Sequence, residues 1–202
     1  MEAFNVVIGK VAPMLAANID TDVIMPKQFL KGIDRKGLDR VLFFDQRFLE
    51  SGDLNPDFVL NRAAWRGAKF LVVGPNFGCG SSREHAVWGL KQLGIRALIG
   101  TTYAGIFYDN CQRNGLLAIE LEEEKMSELA SLLSSGPVGD VSIDLPTQKI
   151  SFENNGDIKF DIDPMRKEVL LLGIDAIGST LMHADTIDKF EHRHLKENPW
   201  LC

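Results

Sequence analysis

The centre of the chain alternates short apolar runs with helical segments, and this alternation constrains the fold more than any other feature. The β-branched apolar runs predict buried strands at 69–74, 96–100 and 116–121. The segments between them predict helices at 82–93 and 103–113, the second ending at Gly115 as a left-handed cap. Strand–helix–strand units of this length place neighbouring strands parallel, with right-handed crossovers. The sequence therefore predicts an α/β fold with parallel core strands.

The residues before this core have a weaker pattern. Residues 5–11 predict a short strand, and residues 18–44 predict a long loop with short helical pieces, because no helical or strand period is sustained there. Loops of that length inside a compact domain usually serve a function. Asp57 could begin a helix that runs to Ala64, since an acidic residue suits a helix N-terminus.

The residues after the core predict an addition to the sheet. An acidic helix is expected at 122–133, and the segments 141–145 and 149–153 then alternate like half-buried strands. Asn154, Asn155 and Gly156 supply hairpin-turn chemistry. From about residue 168 the sequence is apolar and then helical, and Pro199 should end any helix. We expect a single domain over residues 1–202, with an antiparallel addition to the sheet and a helical C-terminal extension from about residue 174.

Composition excludes several classes of partner. The net charge is −6 with 25% charged residues, whereas nucleic acids and anionic membranes require a basic surface. No apolar run approaches the length of a membrane span, and the first residues lack the pattern of a signal peptide. Three cysteines, Cys79, Cys111 and Cys202, are too widely spaced for a disulfide framework or for a metal site on this chain. We therefore expect a cytoplasmic protein.

The segment Gly74-Pro-Asn-Phe-Gly-Cys-Gly-Ser-Ser-Arg-Glu-His-Ala86 carries the clearest chemistry. It runs from the end of a strand through a glycine loop to a helix N-terminus, where main-chain N–H groups and the helix dipole favour an anion. Gly78 and Gly80 allow close approach of a ligand to the backbone. Arg83 can bind a carboxylate through two parallel hydrogen bonds. These residues predict a site for a carboxylate or a phosphate.

Structural interpretations of the same residues remain open. Ser81 and Glu84 have the S-x-x-E spacing of a capping box, which spacing alone favours over a catalytic role. The loop matches neither the P-loop nor the G-x-G-x-x-G pattern, because Arg83 stands where a third glycine would be. His85 lies within the predicted helix and is more typical of a packing residue than of a ligand.

Read together, three segments resemble the swivel domain of the aconitase superfamily. They are Asn76-Phe-Gly-Cys-Gly-Ser-Ser-Arg-Glu-His-Ala86, Asn18-Ile-Asp-Thr-Asp-Val-Ile-Met-Pro26, and Ile99-Gly-Thr-Thr-Tyr-Ala-Gly-Ile-Phe107 with Asn110 and Gly115. The length, the segment Lys27-Gln-Phe-Leu-Lys31 and a C-terminal helix containing Phe190 are similar to the small subunits of bacterial 3-isopropylmalate dehydratases. The resemblance covers nearly the whole chain, and it implies a swivelling β/β/α domain that closes over a partner.

The resemblance also implies roles for individual residues. Ser81 would be the base that takes a carbon-bound proton, Arg83 would bind a substrate carboxylate, and Asp22 would line the site and orient a basic side chain. Either Lys31 or Arg35 would be the second carboxylate-binding cation. The remaining substrate-binding candidates come from the same motifs and from the loop at 27–36, which would set substrate preference: Ser82, Thr21, Asn76, Gly78, Gly80 and Leu30. Phe29 and Leu30 suit a branched alkyl group and suit a hydrophobic core equally well.

The implied chemistry requires a second chain. A serine hydroxyl acts as a base only where N–H donors and a cation stabilise its alkoxide and water is excluded. Loss of hydroxide requires a Lewis acid, which in this superfamily is a [4Fe-4S] cluster held by three cysteines. The scattered cysteines here do not resemble those ligands, so we expect the cluster on a large subunit, the 3-isopropylmalate dehydratase large subunit.

The resemblance predicts a hydro-lyase subunit of leucine biosynthesis that converts 2-isopropylmalate into 3-isopropylmalate through 2-isopropylmaleate. Related dehydratases of citraconate (2-methylmalate) or homoaconitate would share every motif. For this chain we expect a small hydroxy-dicarboxylate substrate. A non-catalytic anion-binding module would keep the glycine loop without needing the Asp20-Thr21-Asp22 segment. A structural or regulatory subunit would only shape the partner's site, and loss of turnover on replacing Ser81 would exclude it.

Overall fold

The computed structural model describes residues 1–30, 35–153 and 156–201. Its strands form one seven-stranded sheet in the order β4-β3-β2-β1-β5-β6-β7. Four parallel strands form one half: β1 (Val6–Met14), β2 (Phe70–Val73), β3 (Ala97–Gly100) and β4 (Leu117–Glu120). Three antiparallel strands extend β1 on its other side: β5 (Asp140–Asp144), β6 (Lys149–Phe152) and β7 (Gly156–Lys159). The predicted α/β fold, with parallel core strands and an antiparallel addition, is confirmed.

The helices follow the strands along the chain. Those that cover the sheet are α3 (Glu84–Gln92), α4 (Gly105–Asn114), α5 (Glu123–Ser134) and α6 (Pro164–Leu172). Two one-turn helices, α1 (Thr21–Ile24) and α2 (Phe44–Arg47), lie between β1 and β2, and α7 (Ala176–Leu181) and α8 (Ala184–Glu197) follow α6. No helix of the described ranges is long and apolar enough to cross a membrane.

The sheet is buried on both faces because its central strands are apolar at every position. Leu71 and Val73 of β2 point into a core shared with α3 and α4, whereas Phe70 and Val72 point into a second core shared with α5 and α6. All four side chains are fully buried. Continuous apolar runs are typical of parallel strands covered by helices on both faces. The two helix layers therefore hold the sheet rigid and fix the direction of the loops at its ends.

Most of the local predictions agree with this structure. The loop at 18–44 contains short helical pieces, namely α1 and the 3₁₀ turns Lys27–Phe29 and Leu38–Arg40. Gly115 caps α4 with φ +73°, as predicted. α8 ends before Pro199, also as predicted. The apolar run at 169–172 is the end of α6, which begins at Pro164.

The predicted helix from Asp57 to Ala64 is wrong. Only a 3₁₀ turn, Val59–Asn61, forms there. The amide of Asn61 donates to the carbonyls of Arg47, at 2.7 Å, and Asn55, at 2.8 Å. Bonds of this kind from an asparagine side chain to distant main-chain groups compete with helix formation, so tertiary contacts override the local signal.

Candidate active site

The loops that follow three neighbouring parallel strands meet at one edge of the sheet. Two hydrogen bonds join the loop after β2 to the loop after β1. Thr21 N donates to Cys79 O, and Gly78 N donates to Ile19 O, both at 2.8 Å. A third hydrogen bond joins the loop after β2 to the loop after β3, since Ala104 N donates to Phe77 O at 3.0 Å. The carboxyl edge of parallel strands is the usual place for a ligand in an open α/β sheet.

Gly78 and Gly80 bend the loop after β2 into a backbone conformation that favours glycine. Both lie in the left-handed region, with φ +76° and +87°. A Cβ on Gly78 would come within 2.2 Å of the ring of Phe107, which packs edge-on against Phe77 at 5.5 Å. The backbone of the loop therefore lies directly on α4, and the next residues turn outward.

A cleft of about 130 Å³ opens at this bend. The predicted site residues that line it are Thr21, Gly78, Gly80, Ser81, Ser82 and Arg83. Its opposite wall is the turn 104–107 at the start of α4, where Ile106 is 59% exposed. Sequence reasoning did not assign this wall, although the loop after the next parallel strand was bound to reach the same edge.

The Ser81 hydroxyl is exposed and has no hydrogen-bond partner within residues 1–30, 35–153 and 156–201. Its carbonyl accepts from the Thr21 hydroxyl at 2.7 Å, which fixes the backbone. The capping-box prediction is wrong, because α3 begins two residues later than predicted and Arg83 takes the N-cap position without a side-chain cap. Glu84 instead accepts from Asn114 at 2.7 Å. The serine side chain is therefore available to a ligand.

Arg83 is held by a carboxylate at the edge of the cleft. Its Nη1 donates to Asp22 Oδ1, and Lys27 Nζ lies 3.6 Å from Asp22 Oδ2. The Arg83 side chain is only 11% exposed, whereas that of Asp22 is 38% exposed. The hydrogen bond from Arg83, aided by the charges of Arg83 and Lys27, lowers the pKa of Asp22 from its ordinary 3.8 despite some desolvation. The Nε and Nη2 groups of Arg83 have no acceptor in the described part of the chain.

The other predicted site residues lie further away. Asn76, with φ +57°, bonds to Asn18 at 2.8 Å and does not line the cleft. Leu30 is half-buried against the core on the α3 side of the sheet, which favours its packing role. Lys31 lies outside the described residues. The guanidinium of Arg35 stacks 4.1 Å over Trp88 on α3.

His85 packs at 4.6 Å against the ring of Trp88, as the packing interpretation expected. The two cysteines among the described residues do not form a cluster site. Cys79 is half-buried on the site loop, and Cys111 is enclosed in the core, where burial raises the pKa of its thiol well above the ordinary value. Cys202 is not among the described residues. No group of three His, Cys, Asp or Glu side chains in those ranges could hold a metal ion. The residues of these ranges therefore do not fit an iron–sulfur cluster.

Comparison with known families assigns two parts of the chain. The profile described as the aconitase C-terminal domain matches residues 1–124. The profile described as the C-terminal domain of the 3-isopropylmalate dehydratase small subunit matches residues 177–201. The second match falls on α7, α8 and the residues after them.

Curated relatives agree over full length. The 3-isopropylmalate dehydratase small subunit 1 of Mannheimia succiniciproducens is 60% identical, covering 100% of this chain and 99% of its own. Small subunit 2 of Salmonella typhimurium is 54% identical, covering 100% and 96%. A solved structure of 3-isopropylmalate dehydratase (leuD) from Methanocaldococcus jannaschii has a TM-score of 0.65 and 28% identity, and the match covers 92% of this chain and 99% of that one.

Proposed function

The chain belongs to the family of 3-isopropylmalate dehydratase small subunits, and on that premise we propose that, with a large subunit, it interconverts 2-isopropylmalate and 3-isopropylmalate. The reaction removes water from the substrate and adds it back with the hydroxyl on the neighbouring carbon, as a hydro-lyase does. One observation carries the proposal: a serine hydroxyl with no partner among the described residues shares a single cleft, at the carboxyl edge of the sheet, with an arginine held by a carboxylate.

In this proposal Ser81 is the base that takes the proton from the carbon next to the leaving hydroxyl. An alkoxide is too unstable to form in bulk water, so the site must supply donors and exclude solvent. The main-chain N–H groups of Gly80, Ser81 and Ser82 donate to no acceptor in the described part of the chain, which leaves them available to an anion. Ser81 itself is exposed, so the base becomes competent only when a partner covers the cleft.

Arg83 would hold one carboxylate of the substrate. Its Nη1 is engaged by Asp22, which leaves Nε and Nη2 to form a two-point contact with a carboxylate. Asp22 then has a positioning role, because it fixes the plane of the guanidinium before substrate arrives. Ser82, Thr21, Gly78 and Gly80 would shape the same cleft, with the Thr21 hydroxyl holding the carbonyl of Ser81 in place.

The rest of the site would come from the large subunit. We assign the [4Fe-4S] cluster, the Lewis acid for the departing hydroxide, to that chain, because the residues described here cannot hold it. The present chain would then act as one swivelling domain over residues 1–202, with an extension from about residue 174. A cytoplasmic location suits its three widely spaced cysteines.

Anaerobic turnover by the reconstituted complex tests the proposal. We expect turnover with 2-isopropylmalate to exceed that with 2-methylmalate or homoaconitate. Ser81→Ala should lower kcat by about 10²–10⁴-fold, the usual contribution of a general base, with little change in KM. Ser127→Ala, at an exposed serine of α5, is the matched control and should retain full activity.

Three outcomes would overturn parts of this assignment. Full activity of Ser81→Ala would leave this chain only a structural role. Preference for another hydroxy-acid would replace the substrate and keep the residue roles. Failure to associate with any large subunit would favour an anion-binding module.

A further inference from the structure

The C-terminal helices leave an apolar surface uncovered. Neither α7 nor α8 buries any of its side chains, although α8 is 14 residues long. Isolated helices shorter than about 12–15 residues are marginal in water, and helices in proteins are stabilised mainly by packing an apolar face. A helix that packs so little of its own surface needs something else to cover it.

The exposed side chains form stripes. On α8, Ile187, Phe190 and His194 have the i, i+3, i+7 spacing of a single face. Phe190 is 55% exposed and stacks on the ring of His194 at 5.4 Å. On α7, Ile177 and Leu181 lie one turn apart, and Ile177 is 70% exposed. Grouped apolar residues of this kind mark an interaction surface.

The exposed area matches that of a stable interface. The large apolar side chains exposed after residue 174 are Ile177, Leu181, Met182, Ile187, Phe190, Trp200 and Leu201. Together they present on the order of 800 Å², about the area that one partner contributes to an interface of standard size. A contact over this surface would be large enough to hold two chains together.

A groove of about 660 Å³ lies between α7 and the exposed face of α4. The exposed face of α4 begins at the cleft with Ile106 and continues one and two turns later with Asp109 and Arg113, over roughly 10 Å. Asp109 and Arg113 line the groove, together with Ile177 of α7. One continuous surface therefore runs from the cleft to the C-terminal helices.

We propose that residues 175–201 and the exposed face of α4 form the docking surface for the cluster-bearing large subunit. The inference rests on the proposed function, which requires that subunit to cover the cleft. A chain that covers the cleft meets Ile106 first and the groove next, so continuity favours the large subunit over a second copy of this chain. The residues that match the small-subunit profile, 177–201, are also those that expose the apolar stripes. Because a separate small subunit has no peptide link to its partner, a non-covalent contact must hold the two chains together, and this segment would supply it.

Binding measured without substrate tests the docking surface. Phe190→Asp should raise the Kd for the purified large subunit, measured by sedimentation or calorimetry, by about tenfold or more. His192→Asp is the matched control, since it adds the same charge on the opposite side of α8 and should change the Kd less than about twofold. The melting temperature of the isolated small subunit should stay unchanged in both variants, because α8 buries no side chain. Deletion of 175–201 should abolish binding.

The outcomes separate this inference from the proposed function. At saturating small subunit, Phe190→Asp should regain the wild-type kcat, since no catalytic residue has changed. If Phe190→Asp weakens binding in a complex that does not act on isopropylmalate, the proposed substrate fails and the docking surface stands. Equal Kd values for wild type and Phe190→Asp would overturn the inference. So would a self-associating small subunit that becomes monomeric with Phe190→Asp while its Kd for the large subunit is unchanged.

Discussion

Substitutions at Asp22 distinguish two effects of this residue on Arg83: it orients the guanidinium through a hydrogen bond, and it neutralises the positive charge. Asp22→Asn keeps an oxygen that can accept from Arg83 but removes the negative charge, and Asp22→Ala removes both. A hydrogen bond to a charged group contributes about 1.5–3 kcal/mol when buried, and an exposed ion pair contributes about 0.2–1 kcal/mol. Asp22 is 38% exposed and Arg83 only 11%, so the pair lies between these limits. We expect Asp22→Asn to lower the free energy of unfolding by about 1 kcal/mol, and Asp22→Ala by slightly more.

The same substitutions should lower kcat/KM by different amounts. Charge-assisted hydrogen bonds are roughly twice as strong as neutral ones, so Asp22→Asn should lose about fivefold to tenfold. Asp22→Ala frees the guanidinium to rotate, and misplacement of a binding group by about 1 Å can lose about 10²-fold. Asp157→Asn, which breaks the pair with Lys149 between β6 and β7, is the control and should leave kcat/KM unchanged.

The effect of Asp22 on stability should depend on pH. Because the folded pKa of Asp22 is below its ordinary 3.8, its contribution is fully present above that value and is lost as pH falls through the folded pKa. Urea unfolding should therefore show a constant difference between wild type and Asp22→Asn from pH 7 to 5, shrinking below about pH 4. A difference that persists undiminished at lower pH, or wild-type kcat/KM in both variants, would refute the assigned role of the pair.

Two further predictions follow from the geometry of the loop and the core. Gly78→Ala should destabilise the chain by more than Gly67→Ala, which has a similar positive φ, +74°, but no atom near the added Cβ. The backbone strain common to the two variants is about 1–2 kcal/mol, and overlap with Phe107 adds to the destabilisation of Gly78→Ala. Thermal unfolding measures the stability of each variant, and an equal loss of stability in the two would contradict the contact with Phe107. Cys111 should resist alkylation at pH 8 until the chain unfolds, because burial raises the pKa of its thiol; mass spectrometry of the native protein checks this, and rapid labelling would contradict it.

The fold was predictable where local sequence and tertiary environment agree. Within the predicted strands 69–74 and 96–100, every position of 70–73 and 97–99 is apolar because both faces of the strand are buried, so these segments have few alternatives to a parallel strand. Gly115 predicted the end of α4 because a left-handed cap favours glycine. The glycine loop and Arg83 predicted an anion site from local chemistry. The parts of Thr21 and Asp22 came only from the resemblance, as did the role of Ser81, because its spacing alone favoured a helix cap.

The errors come from contacts between residues distant in sequence. Glu84 has the right spacing for a capping box, yet its carboxylate is taken by Asn114, 30 residues away. Asn61, within the predicted helix, similarly donates to the carbonyl of Arg47, 14 residues away. No local pattern reports such partners, and tertiary bonds override a preference that is worth only about 1 kcal/mol.

The uncapped start of α3 links these errors to function. A serine or aspartate at the N-cap would contribute about 1 kcal/mol to the helix, but its oxygen would occupy the N–H groups that point out of the first turn. Arg83 stands there instead, in an extended conformation, with its guanidinium turned to Asp22 and no cap bond. The helix thus gives up a common stabilising contact, since no side-chain oxygen of the described residues caps its first turn, and a fixed cation stands beside the Ser81 hydroxyl instead. Local rules that fail together at one position are expected where a site is retained at the expense of stability. The failed cap is therefore itself an argument that the cleft binds an anion.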